Sequence, residues 1–250
     1  MISLSDPIIE VSHLSHRFSD GGLGIDDISL KILKGEFLVV AGHNGSGKTT
    51  LFRHLNGLLT PDTGDVKLDG ISVSADILRA RQMVGLVFQD ADSQIVGETV
   101  YEDVAFGPEN LCLSPAEVRR RVTAALSAVG LEALADQKPH RLSGGEKRRL
   151  AIAGILAMEP QVLVLDEPFA NLDYPGMLQV LSQIVDLHRA GKTIILSTHD
   201  LDMTMGHAGR LILMKKGSIV KDGLFENVIR DVKCAGVKMP CTCRMEALYG

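Results

Sequence analysis

The sequence is short of the features that mark several classes of protein. It has no excess of positive charge, since 26 lysines and arginines face 31 aspartates and glutamates, which leaves a net charge of −5. Because a general nucleic-acid-binding surface needs clustered positive charge, we expect no nucleic acid as a partner. No apolar run approaches the roughly 20 residues that cross a bilayer. We therefore expect any membrane association to come through a partner.

The N-terminus and the cysteines are equally uninformative. Met1–Pro7 lacks the basic start and apolar stretch of an export signal, which favours a cytoplasmic protein. Metal ligation would need a further pair of cysteines at ligand spacing, and none is evident. We expect free thiols of an intracellular protein rather than a metal or redox centre. The four cysteines are Cys112, Cys234, Cys241 and Cys243.

The remaining pattern indicates an α/β fold. Continuous apolar runs at 162–165 and 193–196 predict strands of a parallel sheet that is covered on both faces. Alternation before residue 33 predicts antiparallel strands. Between about 90 and 158 the pattern is helical. Within this region one helix is predicted to begin at Ser114-Pro115 and to end at Gly130. The sequence thus predicts an α/β core, an N-terminal antiparallel β layer and an inserted α-helical subdomain.

One glycine-rich segment carries the strongest chemical signal. It follows the apolar run Phe37–Ala41 and precedes a helical segment, which is the context of a phosphate-binding loop rather than of an ordinary glycine turn. Its glycines let backbone N–H groups turn around a phosphate at a helix N-terminus. Lys48 would contact the β- and γ-phosphates, and Thr49 would ligate Mg²⁺. We predict nucleoside triphosphate binding through Gly42, His43, Asn44, Gly45, Ser46, Gly47, Lys48, Thr49 and Thr50.

Two further motifs agree with this interpretation. Asp166 and Glu167 end the apolar run 162–165, where open α/β sheets place ligands. Alone they could be solvated loop charges, but with a phosphate loop upstream one suits Mg²⁺ and the other a water aimed at the γ-phosphate. Leu142–Glu146 places a serine and two glycines before a helix. This is either a second anion site or a glycine-containing cap.

In this order the motifs resemble the ATP-binding cassette (ABC) ATPases, over about residues 8 to 230. Within them the chain is most similar to the ATPase subunits of energy-coupling-factor transporters, which import cobalt, nickel and vitamins. That closer match rests on residues 88–94, 106–111 and 151–158. Departures occur at Ala91 and Tyr174, where proline is common, and at Cys112, where glycine is common. The resemblance implies a P-loop NTPase core with a mixed, mainly parallel sheet.

The resemblance also implies a role for each motif residue, with ATP and Mg²⁺ as cofactors. It implies that Glu167 orients the attacking water or accepts its proton and that His199 contacts the γ-phosphate, although a lone histidine is often structural. Lys48 and Gln89 complete the implied catalytic residues. Phe18 would stack on adenine, and its alternative is a core aromatic. Implied metal contacts are Thr49, Gln89 and Asp166. The other implied nucleotide contacts lie in two motifs of the family. They are Ser143, Gly144 and Gly145 of the signature motif (Leu142–Glu146) and Asp173 of the D-loop (171–173).

The resemblance further implies partners and an organisation. ATP would lie between two subunits, as a homodimer or with a related ATPase subunit. A transmembrane coupling subunit and a substrate-binding membrane subunit would hold the protein at the cytoplasmic face of the cell membrane. We expect an ATPase domain over 1–232, with the helical subdomain at about 90–158, and a short tail of unknown role at 233–250.

Two charged groups have competing interpretations. The acidic residues near Gln89 could receive the basic coupling helices of a membrane partner, or they could form a solvated face. These residues are Asp90, Asp92, Glu98, Glu102 and Asp103. For Lys147–Arg149 we expect the solvated face of the signature helix.

Two other classes of function remain open. A soluble ABC ATPase in chromosome maintenance or translation would share the motifs. However, the first type separates them by a long coiled coil, and the second usually joins two cassettes in one chain. A small-molecule kinase would explain the phosphate loop but not Leu142–Glu146 or Asp173.

Overall fold

The structure, a computed structural model, describes residues 7–241. The segment before Pro7, on which the export-signal prediction rests, and Cys243 lie outside these residues. The strands are β1 Pro7–Arg17, β2 Leu23–Leu33, β3 Phe37–Ala41, β4 Thr63–Leu68, β5 Ile71–Ser72, β6 Val84–Val87, β7 Val162–Asp166, β8 Thr193–Thr198, β9 Arg210–Lys215 and β10 Ser218–Leu224. The α-helices are α1 Lys48–Leu55, α2 Ile77–Met83, α3 Val100–Asn110, α4 Pro115–Val129, α5 Gly144–Leu156, α6 Tyr174–Arg189 and α7 Phe225–Val228. Short 3₁₀ helices occupy Glu132–Leu134, Pro139–Arg141 and Ile229–Ala235.

The central sheet has the strand order β10-β9-β3-β8-β7-β6. All neighbouring pairs are parallel except β9 and β10. Every residue of β3, β7 and β8 is buried, as expected for apolar strands that are covered on both faces. The predicted mixed, mainly parallel sheet is therefore confirmed.

Side chains along β3 alternate between two hydrophobic clusters, because successive residues of a strand point to opposite faces. Phe37 and Val39 pack with residues of α3, α4, α5 and α6. Leu38 and Val40 pack with α1 and with a second, antiparallel sheet of order β2-β1-β4-β5. This second sheet is the antiparallel layer that the N-terminal alternation predicts.

One helix of the insertion, α4, begins and ends at the residues that the sequence indicates. The Ser114 side chain accepts a hydrogen bond from the backbone N–H of Glu117 and caps α4. Gly130 ends the helix in the left-handed conformation, at φ 64°. Helices α3, α4 and α5 pack on one another. These contacts confirm the inserted helical subdomain as part of the fold.

The parallel arrangement brings the sequence motifs to one edge of the sheet. The phosphate loop follows β3, Gln89 follows β6, Asp166 ends β7 and His199 follows β8. Since β3, β8, β7 and β6 are consecutive neighbours, their carboxyl ends line the same edge.

Part of the predicted tail contacts this edge. The carbonyl of Ala235 accepts a hydrogen bond from the backbone N–H of His43, at 3.2 Å. The N–H of Cys241 donates to the carboxylate of Asp202, at 2.8 Å. The described cysteines, Cys112, Cys234 and Cys241, are free and exposed. None of the helices within residues 7–241 has the length and apolar character needed to cross a membrane.

Cys112 occupies a conformation that favours glycine. It follows α3 with φ 55°, and its N–H donates to the carbonyl of Glu109. A residue with a β-carbon in the left-handed region costs roughly 1–2 kcal/mol. Glycine avoids this strain, and its only cost is the larger conformational entropy that it loses on folding. We therefore expect Cys112→Gly to raise the free energy of unfolding by about 0.5–1 kcal/mol, measured by urea titration under reducing conditions.

Cys234 provides the matched control, since it is exposed but lies within the 3₁₀ helix Ile229–Ala235. Cys234→Gly should lower the stability, because there the glycine relieves no strain. Destabilisation of similar size by both substitutions would contradict the strain at Cys112.

Candidate nucleotide-binding site

A cleft of about 390 Å³ opens at the carboxyl edge of the central sheet. It is bordered by the start of α1 on one side and by the end of β7 on the other. Its lining residues are Phe18, Leu23, Gly24, Asn44, Gly45, Ser46, Gly47, Lys48, Thr49, Thr50, Gln89, Asp166 and Glu167. Most of the predicted nucleotide contacts therefore share one cavity.

The phosphate loop needs glycine at two positions for different reasons. A β-carbon on Gly42 would lie 2.3 Å from the carbonyl oxygen of Met214, so the loop approaches β9 too closely for any side chain. Gly47 precedes α1 with φ 104°, which L side chains rarely adopt. No side chain caps α1, so its first N–H groups are available to an anion.

Lys48 lies deep in the cleft with only 6% of its side chain exposed. Its ammonium group donates to the carbonyl of Gly42 at 2.8 Å and lies 3.7 Å from the Oε1 atom of Glu167. The hydroxyl of Ser46 is buried and has no hydrogen-bond partner. A buried cation beside an unpaired hydroxyl and open helix N–H groups fits a phosphate chain.

Thr49 and Asp166 form a pair of oxygen ligands on the floor of the cleft. The Thr49 hydroxyl donates to Asp166 Oδ2 at 2.6 Å. Within residues 7–241, no group of three or more histidine, cysteine or acidic side chains could hold a metal ion. Mg²⁺ usually takes one or two carboxylates and completes its shell with phosphates and water. The pair therefore fits a magnesium ion that binds together with a nucleotide.

Ser197 orients both acidic residues at the end of β7, and the sequence analysis gives it no role. Its hydroxyl donates to Asp166 Oδ1 at 2.6 Å and accepts from the backbone N–H of Glu167 at 2.9 Å. Strand pairing sets Ser197 opposite Asp166. A polar residue inside a buried apolar strand was the available signal for this contact.

Glu167 is buried and held in an unusual conformation. Its side chain is 8% exposed, its φ is 48°, and its Oε1 atom has no hydrogen-bond partner. Oε2 lies 2.9 Å from Nδ1 of His199, and Nδ1–H donates because an ionised carboxylate only accepts. Left-handed backbone at a non-glycine residue is costly and is concentrated at functional sites. The His199 side chain is 64% exposed, so it is accessible from solvent.

Phe18 lies at the rim of the cleft rather than in a hydrophobic core, since 39% of it is exposed. Its ring packs edge-on against His16, with centroids 5.1 Å apart. A β-carbon on Gly24 would lie 3.2 Å from the ring, so the opposing backbone is close. The alternative interpretation of Phe18 as a core aromatic is wrong, and its contact with adenine stays a prediction.

The signature residues lie elsewhere on the surface. Ser143 caps α5 through a reciprocal hydrogen-bond pair with Glu146. The N–H and hydroxyl of Ser143 both donate to the Glu146 carboxylate, and these bonds hold its pKa below the usual range. Near Gly144 the closest atoms come from Asn171 and Leu172. Asp173 caps α6 by accepting from the N–H of Gly176. None of Ser143, Gly144, Gly145 and Asp173 lines the cleft, nor do Gly42, His43 and His199.

Two expectations about charged residues are wrong. Lys147–Arg149 is not a solvated face: Arg148 is 3% exposed, and Arg149 donates to the carbonyl of Val129. Asp103 is not part of a surface acidic group, because it is buried and accepts from the N–H groups of Val96 and Gly97. The two arginines and Asp103 all bind backbone groups of other segments, and a pattern of charges along the sequence does not reveal such contacts.

The remaining acidic residues lie on the surface among basic ones. Asp92 pairs with Lys147 at 2.6 Å, and Glu102 accepts from the N–H of Thr99 as part of a cap. Asp90 and Glu98 are exposed. A shallow groove beside them is lined by Asp92, Ile95, Gly97, Glu98, Lys138, Pro139, His140 and Lys147. The groove therefore has mixed charge rather than the wholly acidic face that the sequence suggests.

Comparisons with known proteins agree with this geometry. Residues 25–170 match the family model described as ABC transporter. The energy-coupling factor transporter ATP-binding protein EcfA of Methanocaldococcus jannaschii is 46% identical over 239 residues, which is 93% of this chain and 86% of that protein.

Two solved structures extend the similarity to the fold. CbiO1 of Clostridium perfringens, part of the ABC transporter complex cbiONQ, is 39% identical with a TM-score of 0.81, over 92% of this chain and 96% of that one. The ATP-binding cassette MJ0796, in a dimeric post-hydrolysis state bound to ADP and Pi, is 28% identical with a TM-score of 0.78, over 86% and 98%. The chain therefore belongs to the ABC transporter family and, within it, to the ATP-binding proteins of energy-coupling factor transporters, and it is an ATPase.

Proposed function

We propose that this protein binds MgATP in the cleft, closes on a second copy of itself and uses hydrolysis to drive import of a metal ion or vitamin. The observation that carries the proposal is the convergence of three groups at one sheet edge. These groups are the buried Lys48, the Thr49–Asp166 pair and the Glu167–His199 pair. Together they supply a cation for the phosphates, oxygen ligands for magnesium and a carboxylate that can orient a water molecule.

Each residue of the cleft has a distinct task in this proposal. Lys48 would bind the β- and γ-phosphates, and Thr49, Asp166 and Gln89 would hold the magnesium ion, which would neutralise phosphate charge. The Oε1 atom of Glu167, which accepts no hydrogen bond, orients the attacking water and accepts its proton. His199 contacts the γ-phosphate while its Nδ1–H holds the Glu167 carboxylate in place.

The second copy supplies what the cleft does not contain. Gly144 and Gly145 are the first residues of α5, so their N–H groups lie at a helix N-terminus, which suits an anion. Ser143 directly precedes them, and in this structure its hydroxyl donates to Glu146. These three residues do not line the cleft of their own chain. We therefore assign them to the ATP bound by the other copy, with Asp173 beside them. MJ0796, which has been solved as a dimer, supports this arrangement.

The relatives support a proposal about membrane partners. EcfA is named as a subunit of an energy-coupling factor transporter, and CbiO1 belongs to the cbiONQ complex. We propose that this chain is likewise held at the cytoplasmic face by a transmembrane coupling subunit, together with a substrate-binding membrane subunit. The proposed docking surface is the mixed-charge groove, whose lining includes Glu98, together with the exposed Asp90, which accepts from the N–H of the groove residue Asp92. No observation favours a role in chromosome maintenance or translation.

Replacement of the catalytic carboxylate tests the chemistry. Glu167→Gln removes the proton acceptor but keeps the side-chain shape, so ATP turnover should fall by about two to four orders of magnitude. The affinity for ATP should change only a few-fold, as measured with a fluorescent nucleotide. Glu132→Gln makes the same chemical change at an exposed residue outside the cleft and should leave both quantities unchanged. Near-normal turnover in Glu167→Gln would rule out this role.

Charge reversal tests the docking surface. Asp90→Lys combined with Glu98→Lys should abolish co-purification with the solubilised membrane subunits, because like charges would oppose the basic partner. The ATPase activity of the isolated protein should persist. The control reverses two exposed acids away from the groove, with Asp186→Lys and Glu226→Lys. Equal recovery of membrane subunits by both double variants would reject the site.

A further inference from the structure

Arg148 is a buried cation whose hydrogen bonds go to the loop that carries Gln89. It lies in the second turn of α5 and is 3% exposed. Its Nη1 and Nη2 groups donate to the carbonyls of Phe88 and Gln89, each at 2.5 Å. Both acceptors belong to the segment that follows β6 and reaches the cleft. The guanidinium therefore fixes the backbone on which the Gln89 side chain is mounted.

The charge of Arg148 is not balanced by an ion pair. Among residues 7–241, its hydrogen bonds go to backbone carbonyls, its Nε atom is buried without a partner, and it takes part in no salt bridge. Burial lowers the pKa of Arg148, and the charges of Asp90 and Asp166 act in the opposite direction. Arginine stays charged in proteins, so this arrangement buries a cation to hold two carbonyls.

A second contact joins the same two segments at the surface. Lys147 forms an ion pair with Asp92 at 2.6 Å, with 22% and 67% of the two side chains exposed. An exposed pair of this kind contributes little by itself. It does show that consecutive residues of α5 contact both ends of the segment 88–92.

Helix α5 is also the element that begins with the signature. Ser143 caps it, and Arg148 lies little more than one helical turn further along. Within so short a span the helix moves as a rigid unit. Any displacement of the signature residues is therefore transmitted to the carbonyls of Phe88 and Gln89 through one side chain.

Arg149 shows that this connection is specific to one arginine. It follows Arg148 directly, but its Nη1 group donates to the carbonyls of Val129 and Gly130 at the end of α4. Its Nε atom is likewise buried without a partner. Two adjacent arginines thus bind backbone carbonyls in different directions, and only Arg148 reaches the cleft segment.

We infer that Arg148 is a positioning residue that sets the placement of Gln89 toward magnesium according to the position of the signature helix. The inference rests on the proposed role of Gln89 as a metal ligand, and it adds a side chain through which α5 controls that ligand. Outer residues that orient a metal ligand typically change metal affinity by 10- to 100-fold when they are replaced.

The experiment compares Arg148→Gln, Arg148→Lys and Arg149→Gln in the whole chain, each also in a Glu167→Gln background. Three quantities are measured: the Mg²⁺ concentration for half-maximal hydrolysis, the Mg²⁺ concentration for half-maximal binding of a fluorescent ATP in the inactive background, and the melting temperature without nucleotide. Arg148→Gln should raise both Mg²⁺ concentrations about tenfold. Arg148→Lys keeps the charge but loses the two-pronged donation, so it should give an intermediate shift.

Arg149→Gln separates positioning from stability. It should lower the melting temperature, as Arg148→Gln does, but change the Mg²⁺ concentrations less than about twofold because its partners lie on α4. Binding of the fluorescent ATP without Mg²⁺ should be similar in all variants. An equal Mg²⁺ shift in the two arginine-to-glutamine variants, or no shift in either Arg148 variant, would overturn the inference.

Gln89→Ala distinguishes this inference from the function on which it rests. If Gln89→Ala leaves the Mg²⁺ requirement unchanged, the metal role of Gln89 is wrong and the inference fails with it. If Gln89→Ala raises the requirement and the Arg148 variants do not, only the inference fails. The double variant Gln89→Ala with Arg148→Gln should match Gln89→Ala alone, since Arg148 acts through Gln89.

Discussion

The parallel pairing of β3, β8 and β7 is the constraint on which the site depends. Hydrogen bonding sets Asp166 opposite Ser197 and Ala41 opposite Thr198, so the phosphate loop, the acidic pair and the His199 segment leave the sheet at the same level. A slip of one residue would turn every side chain of a strand to the other face. The Ser197 hydroxyl would then no longer join Asp166 and Glu167. The geometry of the cleft is thus a consequence of strand register.

In the proposed function the site is divided between two places on one chain, and this division would allow the nucleotide to drive closure. The cleft holds the cation, the oxygen ligands and the buried glutamate, while the signature serine and glycines lie beside α6. In the proposed dimer each ATP would contact both places, one from each copy. A nucleotide can drive closure only through its higher affinity for the closed state, and hydrolysis removes that difference. Arg148 would connect the two places within one chain.

Much of this site could be predicted from the sequence because its chemistry is local. The glycines within residues 42–49 indicate both the turn and the start of the following helix. Asp166 and Glu167 end an apolar run that predicts a buried strand. The parallel sheet then requires that these groups meet. The signature motif could also be predicted, because Ser143 and Glu146 have the spacing of a capping pair within one helical turn.

Contacts between remote segments could not be predicted in the same way. Arg148 belongs to a run of three basic residues, which favours a solvated face, yet the helical period places it with the buried Ala151 and Ile152. Its acceptors are backbone carbonyls about sixty residues away, and sequence gives no sign of them. The burial of Asp103 could not be predicted for a different reason: the N–H groups of Val96 and Gly97 are close in sequence, but the fold sets the path of the loop that carries them. The position of Phe18 at the cleft could not be predicted either, because it depends on the turn before β2.

The most direct test of the account is the mass of the Glu167→Gln variant in solution, by sedimentation with saturating ATP and Mg²⁺. We predict a dimer of twice the 27.0 kDa chain mass with MgATP and a monomer without nucleotide. A species that stays at the monomer mass when MgATP is bound would contradict the claim that two copies share each nucleotide.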